Sequence, residues 1–348
     1  MTTTERELPG GPQLGDPAAP PGGQPPRRRA LLGGRVTSVE LLAGLLVLLV
    51  IFRVPIAEAL SGPWLQTWMT VFVSVMTQAT PFLVFGVALS AIIAVFVPAS
   101  FFAKALPERA ALAVPVAGAA GVILPGCECA SVPVASALMR RGVTPAAALA
   151  FLLASPAINP VVLISTAVAF AGKPEMVLAR LVASLITAIV MGWLWLRLGR
   201  TEWIRLPKRA DVGPGARWQA FWASVRHDVL HAGGYLVIGA MAAAALQVAV
   251  PRAWLQAVAD QELLSVLLLA GLAVLLSICS EADAFVAASL REFSLTARLA
   301  FLVVGPMIDL KLFAMQAGIF GRQFAFRFAP ATFVVAVVVS LAVGAVLL

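Results

Sequence analysis

Charge is scarce in this chain. Only 12% of its 348 residues are charged against 61% hydrophobic, and the mean hydropathy is +0.95, which excludes an ordinary soluble globular domain. Cysteine is scarce as well. Three thiols in so long a chain make no disulfide framework, and all three lie inside apolar segments, where reduced thiols are expected. There are two histidines. His227 and His231 share one helical face at i, i+4, a spacing that permits a metal site but has no third ligand nearby. No Walker A loop and no nucleophile elbow is present, so the chain is expected to be no enzyme and to carry no cofactor. Near the start there is no short apolar region with an Ala-x-Ala site of the kind that marks a removable signal peptide.

What the chain has instead is long apolar runs. With about 20 residues needed per spanning helix, they predict an all-α polytopic membrane protein of roughly eight to ten membrane segments. The first 36 residues are rich in Pro and Gly and cannot bury a core, so 1–36 reads as a disordered cytoplasmic tail and 37–348 as one transmembrane domain. Arg27, Arg28, Arg29 and Arg35 precede the first span, Val39 to Leu60, and place the N-terminus in the cytoplasm. The net charge of +8 sits mainly in loops, where it sets topology. The expected partner is therefore the lipid bilayer and not nucleic acid, with a homo-oligomer left open.

The chain repeats itself. "CECASVPVASAL", Cys127 to Leu138, lines up with "CSEADAFVAASL", Cys279 to Leu290, and "AFLLASPAINP", Ala150 to Pro160, with "AFLVVGPMIDL", Ala300 to Leu310. Upstream, Phe82 to Pro98 matches Tyr235 to Pro251 more weakly. Repeat one covers about 64–197, a basic cytoplasmic loop about 198–217, and repeat two about 218–348. Pro125, Gly126 and Pro133 interrupt the apolar run Ala110 to Leu138, whose flanks are basic, so it is expected to be a re-entrant hairpin with "LPGCEC" at its tip. Three crossings plus one hairpin per unit would invert the second repeat relative to the first. Inverted repeats with broken helices are a recurring plan of secondary transporters, with the substrate site where the repeats meet. The expected hinges or breaks are Pro125, Gly126, Pro156 and Pro306.

Under this symmetry Cys127, Cys129 and Cys279 lie on related hairpin tips. Three thiolates suit a soft ion such as trivalent arsenic or Cu(I), although a free cysteine can equally be a small buried hydrophobe. Ser131, which aligns with Asp283, and Asn159, which aligns with Asp309, join the thiols as candidate substrate ligands. A charge at the bilayer centre costs about 3 kcal/mol even on a lenient scale. Glu128, Glu281, Asp283 and Asp309 are therefore candidates for proton or ion coupling. The plainer alternative is structural pairing, Asp309 with Lys311 or Glu281 with Arg298, with Lys311 on the cytoplasmic side or at the interface. Arg140 and Arg141 read as topology determinants.

At these residues the sequence resembles a known group. "LPGCECASVPVASALMRRGVTPAAALAFLLASPAINPVVL", and "CSEADAFVAASL" followed by "AFLVVGPMIDLK", are similar to the signature segments of the bacterial predicted-permease family that includes the ArsP-type organoarsenical efflux permeases. The resemblance covers most of the chain after the tail. It implies an inner-membrane permease without ATPase machinery and, for the arsenical branch, cysteine-dependent export, with Cys127 and Cys129 matching the family's Cys-x-Cys-like pair. The expectation is a proton-coupled secondary efflux permease for a soft metal or metalloid. The alternatives are a permease for another organic solute or ion with structural cysteines, and a membrane thiol oxidoreductase.

Overall fold

The computed structural model describes residues 62–123, 128–205, 217–249 and 261–348. The tail expected over 1–36, the span expected at Val39 to Leu60, and the tip residues Pro125, Gly126 and Cys127 lie outside them. No strand occurs among the described residues.

The helices are α1 (Pro63–Phe96), α2 (Ala99–Ala105), α3 (Ala110–Ala120), α4 (Glu128–Arg140), α5 (Pro145–Ile158), α6 (Pro160–Ala169), α7 (Pro174–Leu198), α8 (Arg217–Ala249), α9 (Glu262–Leu276), α10 (Asp283–Ser289), α11 (Leu295–Met307), α12 (Leu310–Ile319) and α13 (Arg322–Leu347). Six helical units are long and apolar enough to cross a membrane: α1, α5 with α6, α7, α8, α11 with α12, and α13. Two further apolar helices, Ala110–Ile123 and Glu262–Leu276, are shorter. The described residues thus supply six of the eight to ten segments expected from composition.

Burial divides the six. In the two broken units, 78% and 83% of the central residues are buried, against 33–44% in the other four. The broken helices therefore form the core. The continuous ones turn apolar side chains such as Leu178, Ile238 and Val338 outward, a surface that suits lipid.

Leaving out α2, the element order long helix, short apolar helix, short helix, broken helix, long helix occurs twice among the described residues, from α1 to α7 and from α8 to α13. Packing follows the same order. α3 lies on α5 as α9 lies on α11, α5 on α7 as α11 on α13, and α4 touches α12 as α10 touches α6.

Each break has a local cause. Pro156 and Pro306 lie in the last turns of α5 and α11, where a missing N–H and the ring weaken the helix. The chain leaves helical geometry about one turn later. Asn159 precedes Pro160, which disfavours α geometry, and it is extended at φ −68°, ψ 157°. Its Oδ1 accepts the Val162 N–H at 3.0 Å while its Nδ2 donates to the Ser155 carbonyl at 3.2 Å. Asp309 does the same for α12, accepting the Leu312 N–H at 2.6 Å. Both are N-caps at the same place in their repeats. Ser277, the one described non-glycine residue with positive φ, accepts the Leu310 N–H at 3.2 Å and so ties the end of α9 to this second break.

Two matched glycines bring the long helices onto the centre. A Cβ at Gly86 of α1 would lie 2.4 Å from the Cα of Ala130 on α4, and one at Gly239 of α8 would lie 2.7 Å from the Cα of Lys311 on α12. Only glycine allows backbones so close. α1 packs on α8, and α4 on α12, which closes the set.

Candidate functional site

The start of α4, the start of α12, the start of α10 with the turn before it, and the second turn of α7 meet in the interior. Glu128, Asp309, Asp283, Arg180 and Lys311 are each at most 2% exposed. Glu128 is the first residue of α4, and Lys311 the second of α12, which begins just after the break at Asp309. The contact between these two helices delivers the pair. Lys311 Nζ donates to Glu128 Oε1 at 2.8 Å and sits 3.2 Å from Asp309 Oδ2.

A second pair lies where α6 and α10 touch. Arg180, projecting from α7, donates to Asp283 Oδ2 at 2.8 Å, to Thr166 Oγ1 on α6 at 2.8 Å, and to the Ser280 carbonyl at 3.3 Å. Each of the two related helix contacts therefore has one cation, paired with Glu128 and Asp309 in one case and with Asp283 in the other. The cation comes from the half-helix itself in one case and from α7 in the other. Both pairs join residues more than 100 positions apart. Lone charges at such depth would be prohibitively costly, so the pairing is what makes their burial tolerable.

Glu281 is half-buried beside them, close enough to interact with Glu128, Arg180 and Lys311. Four carboxylates (Glu128, Glu281, Asp283, Asp309) face two cations (Arg180, Lys311), a formal charge of −2 when all are ionised. Glu128 Oε2 and Asp283 Oδ1 are buried with no hydrogen-bond partner. Cys129 on α4 and Cys279 in the turn before α10 are also buried, and both lie within electrostatic range of the Lys311 ammonium.

Several expected residues thus lie around the two cations: Glu128, Asp283 and Asp309, with Glu281 at the edge and Cys129 and Cys279 within electrostatic range of Lys311. Cys127 lies outside the described residues. Ser131 is buried, and its hydroxyl donates to the Glu128 carbonyl at 2.9 Å, within its own helix. Asn159 serves as the cap described above. Lys311, expected at the cytoplasmic side or the interface, is instead fully buried, because Gly239 and α4 enclose the start of α12. Asp309 does pair with Lys311, whereas Arg298 donates to the Phe293 carbonyl at 3.1 Å. Arg141 donates to the Ile93 carbonyl at 3.0 Å and to that of Ala94, satisfying the last turn of α1.

Sequence reasoning passed over Arg180 and gave Lys311 no role in the site. The signal was present, since Arg180 stands within the apolar run Val177 to Leu196, where a charge is a marker of function by default. His227 and His231 stack at 5.8 Å, and both line a cleft of about 20 Å³ with Ser136, Arg140 and Asp228. Among the described residues no three His, Cys, Asp or Glu side chains are grouped to hold a metal ion.

Comparison with known proteins adds a second line. The family ArsP_1, described as predicted permease, matches residues 65–345. The UPF0718 protein YcgR of Bacillus subtilis is 36% identical over 267 residues, covering 74% of this chain and 90% of that protein. A Streptococcus mutans protein named as a two-component membrane permease complex subunit is 31% identical, covering 79% of this chain and 94% of its own. The UPF0718 protein YraQ of Escherichia coli is 28% identical over 53% of this chain and 55% of its own. No solved structure matches.

Proposed function

Starting from the fact that the chain belongs to the predicted-permease family, we propose that this transporter is a proton-coupled secondary efflux permease for a soft metal or metalloid species such as a trivalent organoarsenical. It is a multi-pass membrane protein and a transporter, not an enzyme. The observation that supports the soft substrate is the placement of Cys129 and Cys279. They come from opposite halves of the sequence, yet both are buried within electrostatic range of the same Lys311 ammonium. Thiolates select soft ions, and carboxylates held in low dielectric are suited to taking up and giving back protons during transport.

The two halves act as inverted repeats with the substrate at their junction. Both buried ion pairs bridge the halves, so protonation of Glu128 or Asp283 weakens a tie between them and lets one half rock against the other. The breaks at Asn159 and Asp309 supply the hinges, Pro125, Gly126, Pro156 and Pro306 acting with them. Cys127 completes the thiol set. The protein lies in the bacterial inner membrane with its N-terminus in the cytoplasm, the basic loop 198–217 on the same side. The name of the streptococcal relative extends the partner list to a second, different subunit.

Everted membrane vesicles test the reading. Under an imposed proton gradient the wild type accumulates methylarsenite or Cu(I), and Cys129→Ser, Cys279→Ser and Cys127→Ser each lose at least tenfold of that accumulation while still inserting normally. Full accumulation in all three variants would reduce the cysteines to packing residues and favour an unrelated solute.

A further inference from the structure

A small polar cleft stands at the far end of the contact between α4 and α12. Ser136 and Arg140 of α4 line it together with His227, Asp228 and His231 of α8 and Ile319 of α12. Ser136 is eight residues beyond Glu128, and Ile319 eight beyond Lys311, so each half-helix runs about 12 Å from the buried ion pair to this cleft. One wall comes from the first half of the sequence and the other from the second. The cleft therefore lies on the junction along which the two halves part.

Exposure falls in order along it. His227 is exposed, His231 half-buried and Ser136 only 1% exposed. The two imidazoles stack with their centres 5.8 Å apart. The Ser136 hydroxyl and the Arg140 Nε are buried with no hydrogen-bond partner in the protein, and such groups are costly unless water reaches them. A cleft of about 20 Å³ has room for one water, which settles where two to four polar groups surround it. Histidine is the side chain that takes up and gives back protons near neutral pH, and a hydroxyl both donates and accepts. Arg140 and Asp228 bring opposite charges to the same cleft, so a proton on either imidazole adds one positive charge. α12 brings Ile319 there, and Leu83 to Phe96 of α1, which packs on α8, carries no titratable side chain.

The imidazoles have no counterpart in the other half. Counting back from the matched glycines Gly239 and Gly86, His231 corresponds to Gln78 of α1 and His227 to Ser74, neither of which titrates. The histidines thus serve one end of the junction alone, the end where α8 leaves the basic loop at Arg217.

We propose that His227, His231 and Ser136 form the proton port of this carrier: water in the cleft links the serine hydroxyl to the imidazoles, which exchange protons between Glu128 and the solution on the side of the basic loop. The inference rests on the proton-coupled reading above and adds the route to it. As the halves part along the contact of α4 with α12, water extends from the cleft to Glu128. A proton leaving the Glu128 carboxyl passes through that water and the serine hydroxyl to a neutral imidazole. The imidazolium gives it to the solution, and Glu128, again a carboxylate, pairs with Lys311. Two imidazoles this close resist holding two charges at once, so the pair hands on one proton at a time.

The test uses the purified full-length chain in proteoliposomes, with methylarsenite carrying radioactive arsenic as the probe. Two rates are compared. Net uptake driven by a proton gradient requires protons to cross, whereas exchange between equal methylarsenite concentrations on the two sides, without a gradient, requires none. In the double variant His227→Gln, His231→Gln, net uptake falls at least tenfold while exchange stays within twofold of wild type. Ser136→Ala removes a hydroxyl that has no protein partner and so keeps the fold; it lowers net uptake at least threefold with exchange likewise retained. Wild-type net uptake in the double variant overturns the proposal and leaves the permease reading standing. An equal loss of both rates also overturns it, because the histidines then support the fold or the substrate path. Should the double variant fail to insert, Ser136→Ala decides, and net uptake equal to wild type overturns the proposal. A wild type in which the gradient drives no uptake sinks the proton-coupled reading, and this inference with it.

Discussion

Arg180 and Asp283 have side chains sealed from solvent, 0% and 3% exposed, so the effect of mutating the pair depends on how many partners go. Removing one leaves an uncompensated buried charge, at a cost of about 3–5 kcal/mol. Removing both in favour of apolar groups of similar volume is often neutral. Arg180→Met is therefore expected to lower the thermal midpoint of the detergent-purified protein sharply, and Arg180→Met with Asp283→Leu to restore most of it. A double variant as unstable as the single one would show that the Thr166 and Ser280 contacts, not charge compensation, are what Arg180 supplies. At this scale the acids were legible. Glu128, Asp283 and Asp309 stand out because carboxylates are rare in apolar runs. Of their partners only Lys311 was offered, for Asp309; Arg180 and the Glu128–Lys311 pair were not, because a long basic side chain in a sequence looks the same whether it reaches outward to headgroups or inward to a carboxylate.

Helix contacts depend on the smallest residues. The Cβ of alanine at Gly86 or Gly239 meets backbone atoms at 2.4 Å and 2.7 Å, so α1 or α8 must shift away from α4 or α12. Gly86→Ala and Gly239→Ala are each expected to cost about 1–3 kcal/mol, the usual range for overpacking, and to lower transport by moving Glu128 or Lys311. Gly271 of α9 has nothing within 4 Å of such a Cβ. Gly271→Ala should be neutral or up to about 1 kcal/mol stabilising through helix propensity. Thermal midpoints of the three variants check this, and equal effects would remove the packing argument. The helix breaks were readable from "SPAINP" and "GPMIDL", but their placement was not. The prolines lie inside the helices, and the chain bends at Asn159 and Asp309, whose side chains cap the next helix.

The whole molecule has six candidate spans among its described residues, with the two broken units at the centre. If the halves are inverted repeats, turns at equivalent places open to opposite sides of the membrane. Single cysteines introduced at Gly142 and Arg322 on a cysteine-less background are expected to react with an impermeant maleimide only from the cytoplasmic side, and those at Gly172 and Arg291 only from outside. Labelling of positions 142 and 291 from the same side would replace the inverted arrangement with a parallel one. The sequence similarity between halves carries no sign of direction, so this geometry was an inference from counting crossings.

Composition and order along the chain determined the class of this protein. Hydropathy requires a membrane, rare carboxylates and thiols mark the candidate ligands, and aligned segments reveal the duplication. Those properties are local, and each is written in a window of a few tens of residues. Which charges compensate one another was decided only in three dimensions, because Glu128 meets Lys311 across 183 positions and Arg180 meets Asp283 across 103. A buried charge accepts whichever partner the packing of α4 on α12, and of α10 on α6, brings within about 3 Å, and that packing depends on matched glycines whose role appears only once the helices are in contact.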